Sequence, residues 1–244
     1  MELYMLKINN LTKCFGSKVA VNGISFDLKP GQITGFIGPN GAGKTTTIEM
    51  ITGILKPDKG DIAICGHDLY SEPLAAKSCF GYVSDTPDMF LRLTGMEYLN
   101  FIADIFQVPV DDRRILIEKY APKLGIMDNL NEAILNYSHG MRQKIVILSA
   151  LIHTPKLLIL DEPLVGLDPS SAYELKEIMH EYAANGGAVF FSTHILEIAQ
   201  KLCHRILILK KGNIIYDGTC ESLMADYPHC DGLEKIYLEL MSDE

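Results

Sequence analysis

The sequence predicts an α/β protein: a core of buried parallel strands and helices, an N-terminal antiparallel β subdomain, and an α-helical subdomain inserted mid-chain. Three observations predict it. In the last third, short and nearly all-apolar runs ("KLLIL", "AVFFS", "RILIL") are separated by helical patterns, as buried parallel strands are. The first third alternates apolar and polar residues between turn signals at "FGS" and "KPGQ". Between them, "ITGFIGPNGAGKTTTIEMITG" runs from apolar strand through glycine-rich loop to helix.

In chain order, "LKINNLTKCF", "GISFDLKPGQITGFIG" and "GDIAICG" read as strands of the small antiparallel sheet. The helical block spans about residues 92–152. There "TGMEYLNFIADIFQV" places Met96, Leu99, Ile102, Ala103 and Phe106 at helical spacing, and "DDRRILIEKYAPKLG" and "MRQKIVILSALIHT" follow with two more amphipathic patterns. "KKGNIIYDGT" predicts a hairpin turning at Lys211–Asn213. Two short helices, "CESLMADY" and "LEKIYLELM", form a tail over 219–244 behind a main domain of 1–218.

Bulk properties narrow the function. The chain has 244 residues, 48% hydrophobic and 22% charged, ordinary values for a folded globular protein. A net charge of −9 argues against nucleic acid as a partner, which calls for a basic surface. Six cysteines without a CxxC pair read as reduced, mostly buried thiols of a cytosolic protein. "MELYMLKINN" lacks the basic and apolar regions of a signal peptide, and no apolar run reaches bilayer-spanning length.

The glycine-rich loop carries the sharpest chemistry. Gly38, Gly43, Lys44 and Thr45 fill G-x-x-x-x-G-K-T in its strand–loop–helix setting, the mark of a P-loop NTPase core. Pro39, Asn40, Gly41, Ala42 and Thr46 complete the cradle. Glycines let backbone N–H groups turn inward around phosphate oxygens, and the helix N-terminus adds positive partial charge. Lys44 is placed to reach β- and γ-phosphates, and the Thr45 hydroxyl to ligate Mg²⁺. "KLLILDEP" supplies carboxylates at a strand end: Asp161 for the metal and Glu162 as general base for the attacking water. His194, after the strand in "AVFFSTHILEIAQ", falls at the strand end where α/β sheets place active-site groups.

Taken together, these motifs resemble the nucleotide-binding subunit of ABC transporters, with a RecA-like core, over roughly residues 4–218. The resemblance makes Gly38–Thr46 the Walker A loop and Leu157–Asp161 the Walker B strand, with Glu162 as the catalytic carboxylate. Phe15 in "TKCFG" is implied to stack on adenine, Asp168 in "LVGLDP" to be the D-loop acid, and His194 to be the switch histidine beside Glu162. "YSHGMRQK" stands where relatives carry Leu-Ser-Gly-Gly-Gln. Ser138 and Gly140 match that signature, while Tyr137, His139 and Met141 depart from it. The resemblance implies that Ser138, His139, Gly140 and Met141 act on the nucleotide of a second subunit, in a head-to-tail dimer. Ser138 also suits a helix N-cap, and Met141, Ile145, Leu148 and Ile152 form an apolar stripe that docks the helix. In the Q-loop, Asp85 stands for the usual glutamine, either as a second Mg²⁺ ligand or mainly as a coupling-loop residue.

The resemblance further implies ATP and Mg²⁺ as cofactors and an integral-membrane permease as partner, contacted through Tyr82–Thr94. It implies a second copy or a homologous ATPase subunit, and a peripheral location on the cytoplasmic face of the membrane. "YSHGMRQK" and "LTGMEYL" are most like export-type ATPases, and the lack of a long C-terminal regulatory domain points the same way. The alternatives are a soluble ABC-family ATPase of a machine such as iron–sulfur cluster assembly, or a regulatory module that barely hydrolyses ATP.

Overall fold

The computed structural model describes residues 4–85 and 90–242. Strands β1 (Leu6–Phe15) and β2 (Lys18–Leu28) form a hairpin, and β3 (Ile33–Ile37) leads through the glycine-rich loop into α1 (Lys44–Ile51). Next come β4 (Lys59–Ile64), β5 (His67–Asp68), α2 (Pro73–Ser78) and β6 (Phe80–Val83). The chain is then helical through α3 (Gly95–Ile105), α4 (Val110–Tyr120) and α5 (His139–Leu151). It returns as β7 (Leu157–Leu160), α6 (Pro169–Ala184), β8 (Ala188–Thr193), α7 (Leu196–Leu202), β9 (Arg205–Lys210) and β10 (Asn213–Gly218). Helices α8 (Cys220–Asp226) and α9 (Leu233–Met241) follow.

Two sheets result. The antiparallel one runs β2-β1-β4-β5, and the larger runs β10-β9-β3-β8-β7-β6, parallel except for β10. Strand β3 lies inside the parallel sheet, between β8 and β9, and not with the antiparallel strands that precede it in sequence. All five of its residues are buried, so it belongs where both faces are covered.

Side-chain alternation shows why the core strands carry unbroken apolar runs. Leu157, Ile159, Ala188 and Phe190 point into one core, shared with α1 and the antiparallel sheet. Leu158, Leu160, Val189 and Phe191 point into the other, shared with α3, α5 and α6. On the first side the rings of Phe26, Phe36 and Phe190 pack within 5.3–6.0 Å, joining the two sheets. A third cluster seats α8 and α9 on Ile206 and Ile208 of β9 through Leu223, Leu233 and Ile236.

The β9–β10 hairpin turns on Lys211 and Gly212, both at positive φ, as a two-residue hairpin turn with matching twist requires. Strand β6 and helix α2 have no counterpart in the sequence reading, being too short to show a period. The six thiols are unpaired, but only Cys220 is fully buried. The other five are partly exposed, less sequestered than composition suggests, because Cys14, Cys65, Cys79 and Cys230 lie at element ends and in turns. No helix among the described residues is long and apolar enough to cross a membrane.

Candidate functional site

The carboxyl ends of β3, β6, β7 and β8 meet at one rim of the parallel sheet, and the candidate residues come from the loops that leave them. The loop after β3 is shaped by glycine. Gly43 has φ +111°, and a Cβ there would stand 2.4 Å from the Ala20 carbonyl oxygen, so no side chain fits. Gly43 also caps α1 with no side-chain hydrogen bond, which leaves the first-turn N–H groups of that helix for a ligand.

Lys44 folds back over this loop. Its Nζ donates to the Gly38 carbonyl at 2.7 Å and to the Pro39 carbonyl at 3.3 Å, and lies 3.8 Å from Glu162 Oε1. Burial pushes its pKa down, while the charges of Glu162 and Asp161 oppose that shift. The cavity above has a volume of about 270 Å³. Phe15, Lys18, Thr45, Thr46, Asp85 and Glu162 are among the residues that line it.

Asp161 is fully buried at the end of β7. Its Oδ1 accepts the Ser192 hydroxyl hydrogen, while Oδ2 is buried with no hydrogen-bond partner among the described residues. Desolvation raises its pKa, against the Ser192 hydrogen bond and the nearby Thr45 hydroxyl; the charges of Asp85 and Glu162 raise it further. A buried carboxylate with an orphan oxygen, within reach of the Thr45 hydroxyl, fits a hard divalent cation. Thr45 and Asp161 would hold Mg²⁺ there, with Asp85 nearby on the rim.

Glu162 is held from three sides. Its backbone sits at φ +46°, a left-handed conformation that costs a non-glycine residue about 1–3 kcal/mol. Its N–H donates to Ser192 Oγ at 2.9 Å, and its Oε1 lies 3.0 Å from His194 Nδ1. Ser192 thus serves both carboxylates, a role the sequence reading missed. Its visible signal is the pair of hydroxyls, Ser192 and Thr193, that closes the apolar run "AVFF" at a strand's carboxyl end. Lys18 was missed as well; it faces the cavity because it pairs with Phe15 across the β1–β2 turn.

The signature residues lie elsewhere: none of Ser138, His139, Gly140 and Met141 lines this cavity. Ser138 caps α5 by accepting the Met141 N–H at 3.2 Å. The Met141 side chain packs into the helical core. Tyr137 is buried and donates its hydroxyl hydrogen to the Asn129 carbonyl at 2.6 Å. The segment ahead of α5 is hydrogen-bonded to the one ahead of α3, Ile134 N to Leu93 O and Leu135 N to Leu91 O, both at 2.9 Å.

The start of α5 also touches the loop that follows Glu162. The His139 ring lies under Gly166, where a Cβ would stand 2.6 Å from it, so its side chain faces its own chain's 164–168 loop. One turn on, Lys144 Nζ pairs with Asp168 Oδ2 at 2.8 Å. Asp168 caps α6 through the Ser171 N–H at 2.9 Å, and the Lys144 ammonium holds its carboxyl well below the usual carboxylate range.

Comparisons with known proteins show what this chain is similar to. A family described as "ABC transporter" matches residues 21–165. The ABC-type transporter ATP-binding protein EcsA of Bacillus subtilis (strain 168) is 34% identical over 241 residues, covering 98% of each chain. Nod factor export ATP-binding protein I of Burkholderia orbicola is 31% identical over 234 residues, 96% of this chain and 77% of the relative. A solved ATP-binding subunit of an ABC transporter superposes with a TM-score of 0.92 at 30% identity, covering 97% of this chain and 99% of that one.

Proposed function

This chain belongs to the ABC transporter family as an ATP-binding subunit, and on that premise we propose that it hydrolyses ATP in a head-to-tail dimer to drive a membrane permease. The observation that carries the reading is Glu162, aimed by His194, Ser192 and Lys44 at the mouth of a phosphate loop. Phe15 stacks on the base, and the loop N–H groups with Lys44 hold the phosphates. Mg²⁺ held by Thr45 and Asp161 would supply neutralisation of phosphate charge. Glu162 accepts the proton of the attacking water, and His194 keeps that carboxylate turned toward it.

The dimer follows from what the signature offers and where it stands. Ser138, Gly140 and the N-terminus of α5 are equipped for an anion but lie outside their own cavity. A second copy, or a homologous subunit, brings that anion. Closure reaches the permease through the bonded 91–96 and 130–135 segments, next to the Q-loop. Residues 86–89 of the expected permease-contacting segment lie outside the described residues. Export is the direction we favour, because a relative matching 96% of this chain is a Nod factor export protein.

Glu162→Gln tests the reading. The variant retains ATP, doubles in mass on size exclusion with ATP, and loses turnover by about 10²–10⁴-fold, the usual worth of a general base. Turnover at the unaltered rate removes Glu162 as the base. An ATP-loaded variant that stays monomeric removes the dimer.

A further inference from the structure

We propose that His229, Cys230 and Glu239 form a binding site for a zinc-class divalent metal, pinning the turn between α8 and α9 to the last helix. The site is distinct from the nucleotide cavity; His229 and Glu239 are exposed, and Cys230 is half-buried at the edge of the third core.

The geometry carries the proposal. His229 Nε2 lies 3.0 Å from Glu239 Oε2, and Cys230 Sγ lies 3.2 Å from the same oxygen. The candidate ligand atoms of the three residues all fall within 4.8 Å of one another. Tetrahedral zinc has bonds of about 2.0–2.3 Å to N, O and S, which puts its corners about 3.3–3.7 Å apart. The observed edges to Glu239 are a few tenths of an ångström shorter, as expected where a shared proton stands in for the ion. An ionised carboxylate only accepts, so Nε2–H and Sγ–H both donate to Oε2. The metal replaces the thiol proton and takes the imidazole in its other tautomer, with a small outward spread of the three groups.

The ligand set selects the ion class. Imidazole, thiolate and carboxylate together suit zinc and cobalt, not magnesium, which prefers oxygen ligands and octahedral geometry. Three protein ligands on exposed or half-exposed residues leave a fourth position for water. The scaffold is already in place. Cys230 N–H donates to the Tyr227 carbonyl at 3.0 Å, closing the turn that presents His229 and Cys230 side by side. Helix α9 is anchored by buried Leu233 and Ile236, and Glu239, one turn beyond Ile236, stands exposed at the edge of that face, beside the turn. A metal here ties the turn to the last turns of α9, beyond Leu233 and Ile236, so it stabilises the end of the tail.

The test uses the untagged full chain, without nucleotide, titrated with Co²⁺ in excess Mg²⁺. One equivalent is expected, with a thiolate-to-cobalt charge-transfer band and the visible bands of a tetrahedral ion, both removed by added Zn²⁺. Cys230→Ser loses the charge-transfer band, and His229→Ala and Glu239→Gln each weaken cobalt binding by at least about tenfold. Cys79→Ser leaves the spectrum as it was, and Mg²⁺-dependent ATP hydrolysis by Cys230→Ser is unchanged, which shows an intact fold. A wild-type chain without a thiolate band overturns the proposal, and so does a Cys230→Ser spectrum like wild type. Each ligand is tested separately, so one variant that fails to fold does not hide the answer.

Discussion

Two helix N-termini make up the proposed site, and they differ in what surrounds them. The start of α1 lies in a cavity whose other walls come from the same chain, with buried Lys44 above the loop and Asp161 and Glu162 opposite. The start of α5 has the glycine and the serine but no Lys44 of its own, and none of its signature residues reaches that cavity. The difference shows in how each is held. Around α1 the polar groups point inward and one carboxylate oxygen is left unpaired. Around α5 the polar groups are spent on mooring: Ser138 on its own cap, Tyr137 on the Asn129 carbonyl, Lys144 on Asp168. One half of the proposed site is organised for chemistry, and the other is a rigid face offered outward.

The contrast breaks first at Lys44. Lys44→Ala removes the ammonium from the complete half and is expected to weaken ATP binding by the isolated chain by about 3 kcal/mol, more than ~100-fold in Kd. Isothermal titration or a fluorescent nucleotide reads this directly, and tight binding by the variant removes the phosphate-loop assignment. The second test strikes the other half. Ser138→Phe is expected to leave that Kd within about twofold and lower turnover by about 10²–10³-fold, as loss of a donor to developing charge does. Its cap loss costs about 1 kcal/mol of stability, so Ser138→Thr, which keeps the cap, is the control that retains both. Equal loss of binding in Lys44→Ala and Ser138→Phe would abolish the distinction between the halves.

The same contrast explains what could be read from sequence. The first half is contiguous: strand, glycines, lysine and threonine follow one another within "ITGFIGPNGAGKTT", so the local chain determines the local shape. The carboxylate pair was legible because it ends an apolar run, and His194 because it follows one by three positions, just beyond a strand. Ser192 was not, since its role depends on β7 and β8 being neighbours, which no spacing reveals. His139 was an unplaced departure until the structure set its ring under Gly166, 27 positions later in the chain. The central place of β3 was hidden for a similar reason: sequence neighbours suggested the antiparallel sheet, and burial on both faces decided otherwise.

The smallest expected effect lies at the contact that joins the halves, Lys144 with Asp168. Asparagine caps a helix as well as aspartate, so Asp168→Asn removes the charge and keeps the Ser171 bond. Asp168 is half exposed, and solvent screening limits the ion pair to about 1 kcal/mol or less. Its folded pKa is depressed, so the pair's contribution is fully present above the unfolded aspartate pKa of about 3.9 and fades as pH falls below it. Urea midpoints should therefore separate wild type from Asp168→Asn by the same small gap at pH 6 and pH 8, and the gap should begin to narrow as pH falls below about 4, closing only once the folded carboxyl itself is protonated. High salt should narrow it at neutral pH, though less than for a fully exposed pair, because Lys144 is largely buried. A gap that does not narrow at all below about pH 4, and that high salt leaves unchanged, would mean that hydrogen-bond geometry, not charge, ties α5 to the 164–168 loop. The latch would then transmit position without being tuned by the electrostatics of the site beside it.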